Sequence, residues 1–194
     1  MALLRTGLSH DAEPQLRGPR LTLRPPIMAD YVAWAELRAR SRAHLVPWEP
    51  AWSHDELSRG SYRRRLKVHQ RDQREDIGYA FFLFARPGNA LIGGLTLSNV
   101  RRGVTQAGAL GYWIGQPHAQ QGYMTEAVGV AAHFAFEHLG LHRIEAACLP
   151  HNRGSIGVLR NNGFREEGFA KQYLKINGDW QDHVLFALLE DDLE

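Results

Sequence analysis

Two short passages hold the residues best suited to chemistry, and each opens a helical pattern. The first runs Leu110-Gly111-Tyr112-Trp113-Ile114-Gly115-Gln116-Pro117-His118-Ala119-Gln120-Gln121-Gly122-Tyr123-Met124-Thr125-Glu126-Ala127, passing from strand to helix. A glycine at such a junction lets the main chain turn tightly and approach a ligand closely. The free amides that follow, with the positive end of the helix dipole, suit an anion such as a diphosphate. A single glycine there fits a plain helix start equally well. The second passage is Pro150-His151-Asn152-Arg153-Gly154-Ser155. Asn152 is a good N-cap, and Ser155 stands where a capping partner would lie.

The surrounding pattern supplies the scaffold. Residues 1–18 are polar and aperiodic and read as a flexible lead-in, with one domain over 19–190. Arg20 to Arg24 alternates and stops at Pro25-Pro26, as a first strand would. Tyr31, Trp34, Ala35 and Leu37 share a helical face, and two prolines bracket the loop Leu45-Val46-Pro47-Trp48-Glu49-Pro50. A second helix is expected from Ser53 as N-cap, with Glu56 completing a capping box. Tyr79–Ala85 and Leu91–Val100 form a hairpin, and Ala107–Gly115 a further strand. Next come a helix over about 121–139 stopped by Gly140, a strand over 142–149 and a helix over 152–162 stopped by Gly163. Two last strands flank Asn177-Gly178-Asp179, a strong hairpin signal. Hairpins followed by strand–helix–strand–helix–strand imply an α/β (α+β) domain with a mixed sheet.

Composition excludes several classes. A chain of 194 residues with 44% hydrophobic content supports one full core. Its one cysteine, Cys148, allows no internal disulfide, and its apolar neighbours suit a buried strand position. The start has no sustained apolar run, and nothing approaches a membrane span, so a cytoplasmic location without membrane contact is expected. His133 and His138 lie five apart, which does not place a zinc pair on one helix face, so no metal is expected. The net charge of +2 is compatible with an anionic ligand and proves none. Arg59, Arg63, Arg64, Arg65, Lys67, Arg71 and Arg74 form a basic helix over 59–74, either a solvated face or a docking surface for an RNA-rich or acidic partner such as the ribosome.

Together the two passages resemble the GCN5-related N-acetyltransferase (GNAT) family, in which a loop of pattern Gln/Arg-x-x-Gly-x-Gly/Ala cradles the pyrophosphate of coenzyme A. The matching stretch is Ala119-Gln120-Gln121-Gly122-Tyr123-Met124: it keeps the central glycine and departs at both outer positions. The blocks at 45–50, Ser98-Asn99-Val100-Arg101-Arg102-Gly103, 122–127, 150–152 and Asn177-Gly178-Asp179-Trp180-Gln181-Asp182-His183-Val184 look like the RimJ/RimL branch. Its members acetylate the N-terminal residue of ribosomal proteins, and the RimJ type, acting on alanine, is most alike, over about residues 18–188.

The resemblance implies a mostly antiparallel sheet of about seven strands, helices on both faces and a splayed strand pair at the cofactor site. It implies acetyl-CoA as cosubstrate and a protein N-terminus, ribosomal, as partner, with the chain a monomer or weak homodimer. Trp113, Ile114 and Gly115 would pair with the pantetheine arm, and Gln120, Gln121, Gly122, Tyr123, Met124 and Thr125 would hold the diphosphate. Asn152 would bond the pantetheine, Arg160 the adenine end, and Ser155 would protonate the departing thiolate.

The general base is least legible. An α-amine with a pKa of 7.7–8.0 is roughly a quarter neutral at pH about 7.4, whereas a lysine at ~10.4 is about 0.1% neutral, a deficit of roughly 4 kcal/mol. An N-terminal acceptor therefore needs only a modest base or a water chain. Some relatives carry a glutamate where this chain has Gln172-Tyr173-Leu174-Lys175. Glu49 is the first candidate to receive the amine, with Tyr173 and Glu126 behind it. Two alternatives stay open: a small amine as acceptor (polyamine, aminoglycoside or amino acid), and a non-catalytic ribosome-binding module.

Overall fold

The computed structural model describes residues 14–193. Eight strands form one sheet in the order β1-β2-β3-β4-β5-β6-β8-β7. They are β1 (Leu16–Arg17), β2 (Leu21–Arg24), β3 (Tyr79–Ala85), β4 (Ala90–Arg101), β5 (Ala107–Ile114), β6 (Arg143–Cys148), β7 (Arg165–Ile176) and β8 (Asp179–Leu189). Every pairing is antiparallel except β5 with β6. The eighth strand is β1. It takes residues assigned from sequence to the lead-in, because Leu16 and Arg17 pair with Leu23 and Thr22; the rest of that lead-in, to residue 13, lies outside the described residues.

Side-chain alternation along each strand divides the core into two layers. Leu110, Tyr112 and Ile114 of β5, Ile144, Ala146 and Cys148 of β6, and Val184, Phe186 and Leu188 of β8 join one cluster. Helices α4 (Tyr123–His133) and α5 (Arg153–Asn161) cover it through Met124, Ala127, Val128, Ala131 and Leu159. The opposite face carries Phe82, Phe84 and Trp113, packed by Trp34 and Leu37 of α1 (Tyr31–Arg40) and Tyr62 and Leu66 of α3 (Arg59–Arg74). Glu145 and Ala147 of β6 and His183 of β8 alternate with the first cluster and therefore belong to this second face.

Two local expectations need correction. The helix expected from Ser53 begins five residues later: Ser58 is the N-cap, its Oγ accepting from the Ser61 amide at 3.0 Å. The Ser53 hydroxyl bonds the Asp55 carboxylate at 2.8 Å instead, a local side-chain contact that holds a turn. The stretch expected as open loop before it is partly coiled, as α2 (Arg42–Leu45) and a 3-10 turn over Val46–Trp48 with Pro47 inside it. Both segments lie between proline or serine signals that mark a break without fixing the residue where winding resumes.

Candidate active site

The sheet opens where its two parallel strands meet. β5 and β6 pair only at Ala107 with Arg143, Gly108 with Ile144 and Ala109 with Glu145. Beyond that point β5 stays paired with β4 as far as Ile114, and β6 stays paired with β8 as far as Cys148. Each strand is held on its outer side, so a wedge forms between residues 110–114 and 146–148. The inward edge of β5 over 110–114 has no strand partner, leaving backbone groups with which a ligand can pair.

A cavity of about 610 Å³ runs through this wedge. Trp113, Ile114, Gln120, Gln121, Gly122, Tyr123, Met124, Thr125, Asn152, Ser155 and Glu49 all line it, together with most of the residues singled out from sequence. Four of the residues singled out do not: Gly115, Glu126, Arg160 and Tyr173. Gly115 lies beneath α1, where an added Cβ would stand 2.4 Å from Leu37 Cδ1. Arg160 reaches Glu166 at 3.3 Å, and Tyr173 is 48% exposed and sets its ring edge-on to His183 at 5.9 Å.

One end of the cavity is built for an anion. Gln120 has φ +58° and Gly122 φ +77°, so the chain turns sharply before α4 begins at Tyr123. The first turn of α4 closes with the Glu126 N–H donating to the Gly122 carbonyl at 3.1 Å, which leaves the amides before it without a helical partner in residues that line the cavity. Arg20 fixes this turn from outside: its Nη1 donates to the Gln121 carbonyl at 3.0 Å and its Nε to Glu126 at 2.8 Å. Glu126 also accepts from the Arg20 amide at 2.7 Å, so its carboxylate is occupied in latching α4 to the residue that leads into β2. On the α5 side, no atom lies within 4 Å of where a Cβ on Gly157 would stand, which keeps the channel wide. An extended ligand with a diphosphate at one end fits this cradle.

The middle of the cavity holds a hydroxyl pair that sequence reasoning half missed. Ser155 Oγ and Tyr112 Oη share a hydrogen bond of 2.9 Å, and burial pushes the Tyr112 phenol upward, keeping its proton on. Asn152 Oδ1 accepts from the Ser155 amide at 3.1 Å, as an N-cap should. Capping and ligand binding are therefore not exclusive, since the cap uses only the oxygen and the amide nitrogen has no partner among the described residues. Tyr112 had one signal in sequence, a hydroxyl inside an otherwise apolar strand. Cys148 lines the same wall, and burial raises its thiol pKa, which keeps it protonated.

On the other face the Glu49 carboxylate accepts three hydrogen bonds from two residues. Arg38 Nη2 and Nη1 donate to its two oxygens at 2.6 and 3.1 Å, and Trp52 Nε1 donates at 2.7 Å. The Arg38 guanidinium lies 4.6 Å from the Trp52 ring centroid and 5.0 Å from that of Trp113, with its side chain 6% exposed. The Glu49 carbonyl accepts from the Asn177 amide at 2.8 Å, tying this loop to the tip of the β7–β8 hairpin. Losing one member of such a buried pair strands the other charge, so Arg38→Leu is expected to cost about 3–5 kcal/mol in chemical denaturation, with Arg38→Met/Glu49→Leu recovering much of it. Equal stability of Arg38→Leu and the parent chain would show the pair to be solvent-screened.

Residues 20–165 match the family model described as the acetyltransferase (GNAT) domain. The chain is 37% identical over 180 residues to a [ribosomal protein uS5]-alanine N-acetyltransferase of Escherichia coli, covering 92% of each. It is 35% identical over 179 residues to a probable N-acetyltransferase, YjcK, of Bacillus subtilis, covering 92% of this chain and 99% of that one. Among solved structures, Mycobacterium smegmatis RimJ in complex with CoA-disulfide superposes with a TM-score of 0.86 at 33% identity, over 93% of this chain and 88% of that one.

Proposed function

The chain belongs to the GNAT family and uses acetyl-CoA as cosubstrate for N-acetylation, and from that premise we propose that its acceptor is the N-terminal α-amine of a ribosomal protein beginning with alanine. The observation that carries this reading is the state of Glu49. It is the one carboxylate among the described residues lining the 610 Å³ cavity, and its oxygens are already bonded to Arg38 and Trp52. A site without a free carboxylate suits an amine that is partly neutral at pH about 7.4, which an α-amine is and a lysine is not. The E. coli relative, alike over nearly its whole length, carries that specificity in its name.

The roles follow from the two faces of the wedge. Acetyl-CoA supplies an activated acyl group as a thioester. The amides of 122–125 hold its diphosphate at the start of α4, and the free edge of β5 over 110–114 lines up the arm. Asn152 donates to that arm from its amide nitrogen. Ser155, bonded to Tyr112, hands a proton to the departing sulfur on the α5 face, and Tyr112 replenishes it. Glu49 keeps the Pro47–Pro50 loop and the Asn177 turn in place around the acceptor rather than taking its proton.

The basic helix contributes less than its composition suggests. Arg64 pairs with Asp55, Arg65 with Glu56 and Arg71 with Asp72, which leaves exposed Arg63, Lys67 and Arg74 to meet an acidic partner. No helix among the described residues is long and apolar enough to cross a membrane. The test is acetylation of a peptide that begins with alanine and carries an internal lysine. Mass spectrometry is expected to place the acetyl group on the α-amine. Acetylation of a polyamine with none on the peptide removes the ribosomal assignment.

A further inference from the structure

We propose that His183 takes the proton of the acceptor amine, a role that rests on the N-acetyltransferase reading above and completes it. His183 sits on β8 with 2% of its surface exposed and lines the wedge cavity. Its Nδ1 lies 2.9 Å from the Gln181 carbonyl. A carbonyl only accepts, so Nδ1 carries a hydrogen, and in the neutral ring the lone pair belongs to Nε2. Nε2 has no hydrogen-bond partner among the described residues.

Strand register places this base opposite the proposed acid. Val184 pairs with Cys148 and faces α5 with Ser155 and Tyr112, so the preceding residue, His183, faces the other way. That is the side of Glu49, His44 and Trp48, which line the same cavity from α2 and the turn after it. The titratable groups lining the cavity on that side are His44 of α2 and Glu49 of the turn after it, and Tyr173 of β7 sets its ring edge-on to His183 at 5.9 Å. Asp182, its neighbour on β8, is bonded to the Gln172 amide at 2.8 Å, and Tyr112 and Cys148 lie across the wedge. Of these, Glu49 is saturated by Arg38 and Trp52, and Tyr173 does not line the cavity.

The protons balance across the two faces. Nε2 takes one proton from the incoming ammonium and later gives it to water. The amine nitrogen bonds the acetyl carbon as the carbon–sulfur bond breaks, and sulfur leaves with a proton from the Ser155–Tyr112 pair. The second amine proton refills that pair through solvent, so amide, free thiol and one released proton result.

His183→Asn keeps a donor to the Gln181 carbonyl and removes the Nε2 lone pair. Its kcat is expected to fall about 100-fold near pH 6.5, with the deficit shrinking above pH ~8 as the amine deprotonates unaided. Coenzyme A affinity and the thermal midpoint stay at the parent values. A kcat within about threefold of the parent, or a deficit constant with pH, overturns the proposal. Nitrogen NMR of histidine-labelled parent protein tests it without turnover: the neutral ring should show Nδ1 protonated and an Nε2 signal that moves when a peptide–coenzyme A conjugate binds. The reverse tautomer, or an Nε2 blind to the conjugate, also overturns it. Assays use the alanine peptide and a small primary amine in parallel. If only the small amine is acetylated, the ribosomal assignment fails while His183 is still judged on that substrate.

Discussion

Gly122→Glu is expected to raise the dissociation constant for coenzyme A by roughly a thousandfold, as the loss of about two charge-assisted hydrogen bonds at 1.5–3 kcal/mol each implies. Three effects act in the same direction. At φ +77° a side chain is strained by about 1–2 kcal/mol relative to glycine. The new Cβ would stand 3.3 Å from Arg20 Nη2, which is already bonded into the turn through its neighbouring atoms, so it has little freedom to withdraw. Most important, the introduced carboxylate can itself occupy the free amides at the start of α4, where a negative charge is favoured. Gly122→Ala separates these causes, because it carries the strain without the charge and should weaken binding by only about tenfold. Calorimetric titration reads both variants. A Gly122→Glu protein that binds coenzyme A as the parent does would mean that the diphosphate lies elsewhere.

The extent to which this site is legible in the sequence follows the range of the interactions involved. The turn around Gly122 and the cap at Asn152 are local: each needs a few consecutive residues of special conformational or hydrogen-bonding type, and both lie where the pattern places them. The wedge between β5 and β6 was expected from the family resemblance, since pairing that stops after three residues leaves no mark in either strand's composition. Contacts between distant segments were the least legible. Glu49 stood out as an acidic residue in a proline-bracketed loop, but its partner Arg38 is one of two arginines in α1, eleven residues earlier. Ser155 was visible, whereas Tyr112, 43 residues away, joins it only when α5 docks on the sheet. His183 was visible only as part of a matching block, because its face of β8 is set by register with β6 and not by the alternation of its own strand. The misplaced helix at Ser53 shows the converse failure, in which a local capping pattern was present and a second serine five residues on was used instead.

Ser155→Ala and Tyr112→Phe should each lower kcat by roughly a hundredfold, and together by little more than either alone, because proton donation by a positioned group is worth about 10²–10⁴-fold. The geometry makes them one unit: the two hydroxyls are 2.9 Å apart, and Tyr112 Oη also lies 3.3 Å from the Ser155 carbonyl. Residues in one hydrogen-bond network couple, so a double-mutant cycle should give an interaction energy near the single-mutant effect of about 2–3 kcal/mol. Coenzyme A affinity is expected to change little in Ser155→Ala, since the Asn152 cap accepts from the Ser155 amide and not from its hydroxyl. Independence of the two effects would place the hydroxyls in separate roles. A Ser155→Ala enzyme with the parent kcat would show that sulfur leaves unprotonated. The pair differs from His183 in the direction of its pH response: the hydroxyl variants lose assistance to the leaving group, so their deficit should not close as the amine becomes neutral. A leaving-group test separates them further. An acyl donor with a more acidic thiol needs less protonation and should recover rate in Ser155→Ala, while the defect of His183→Asn, which lies in the nucleophile, should persist.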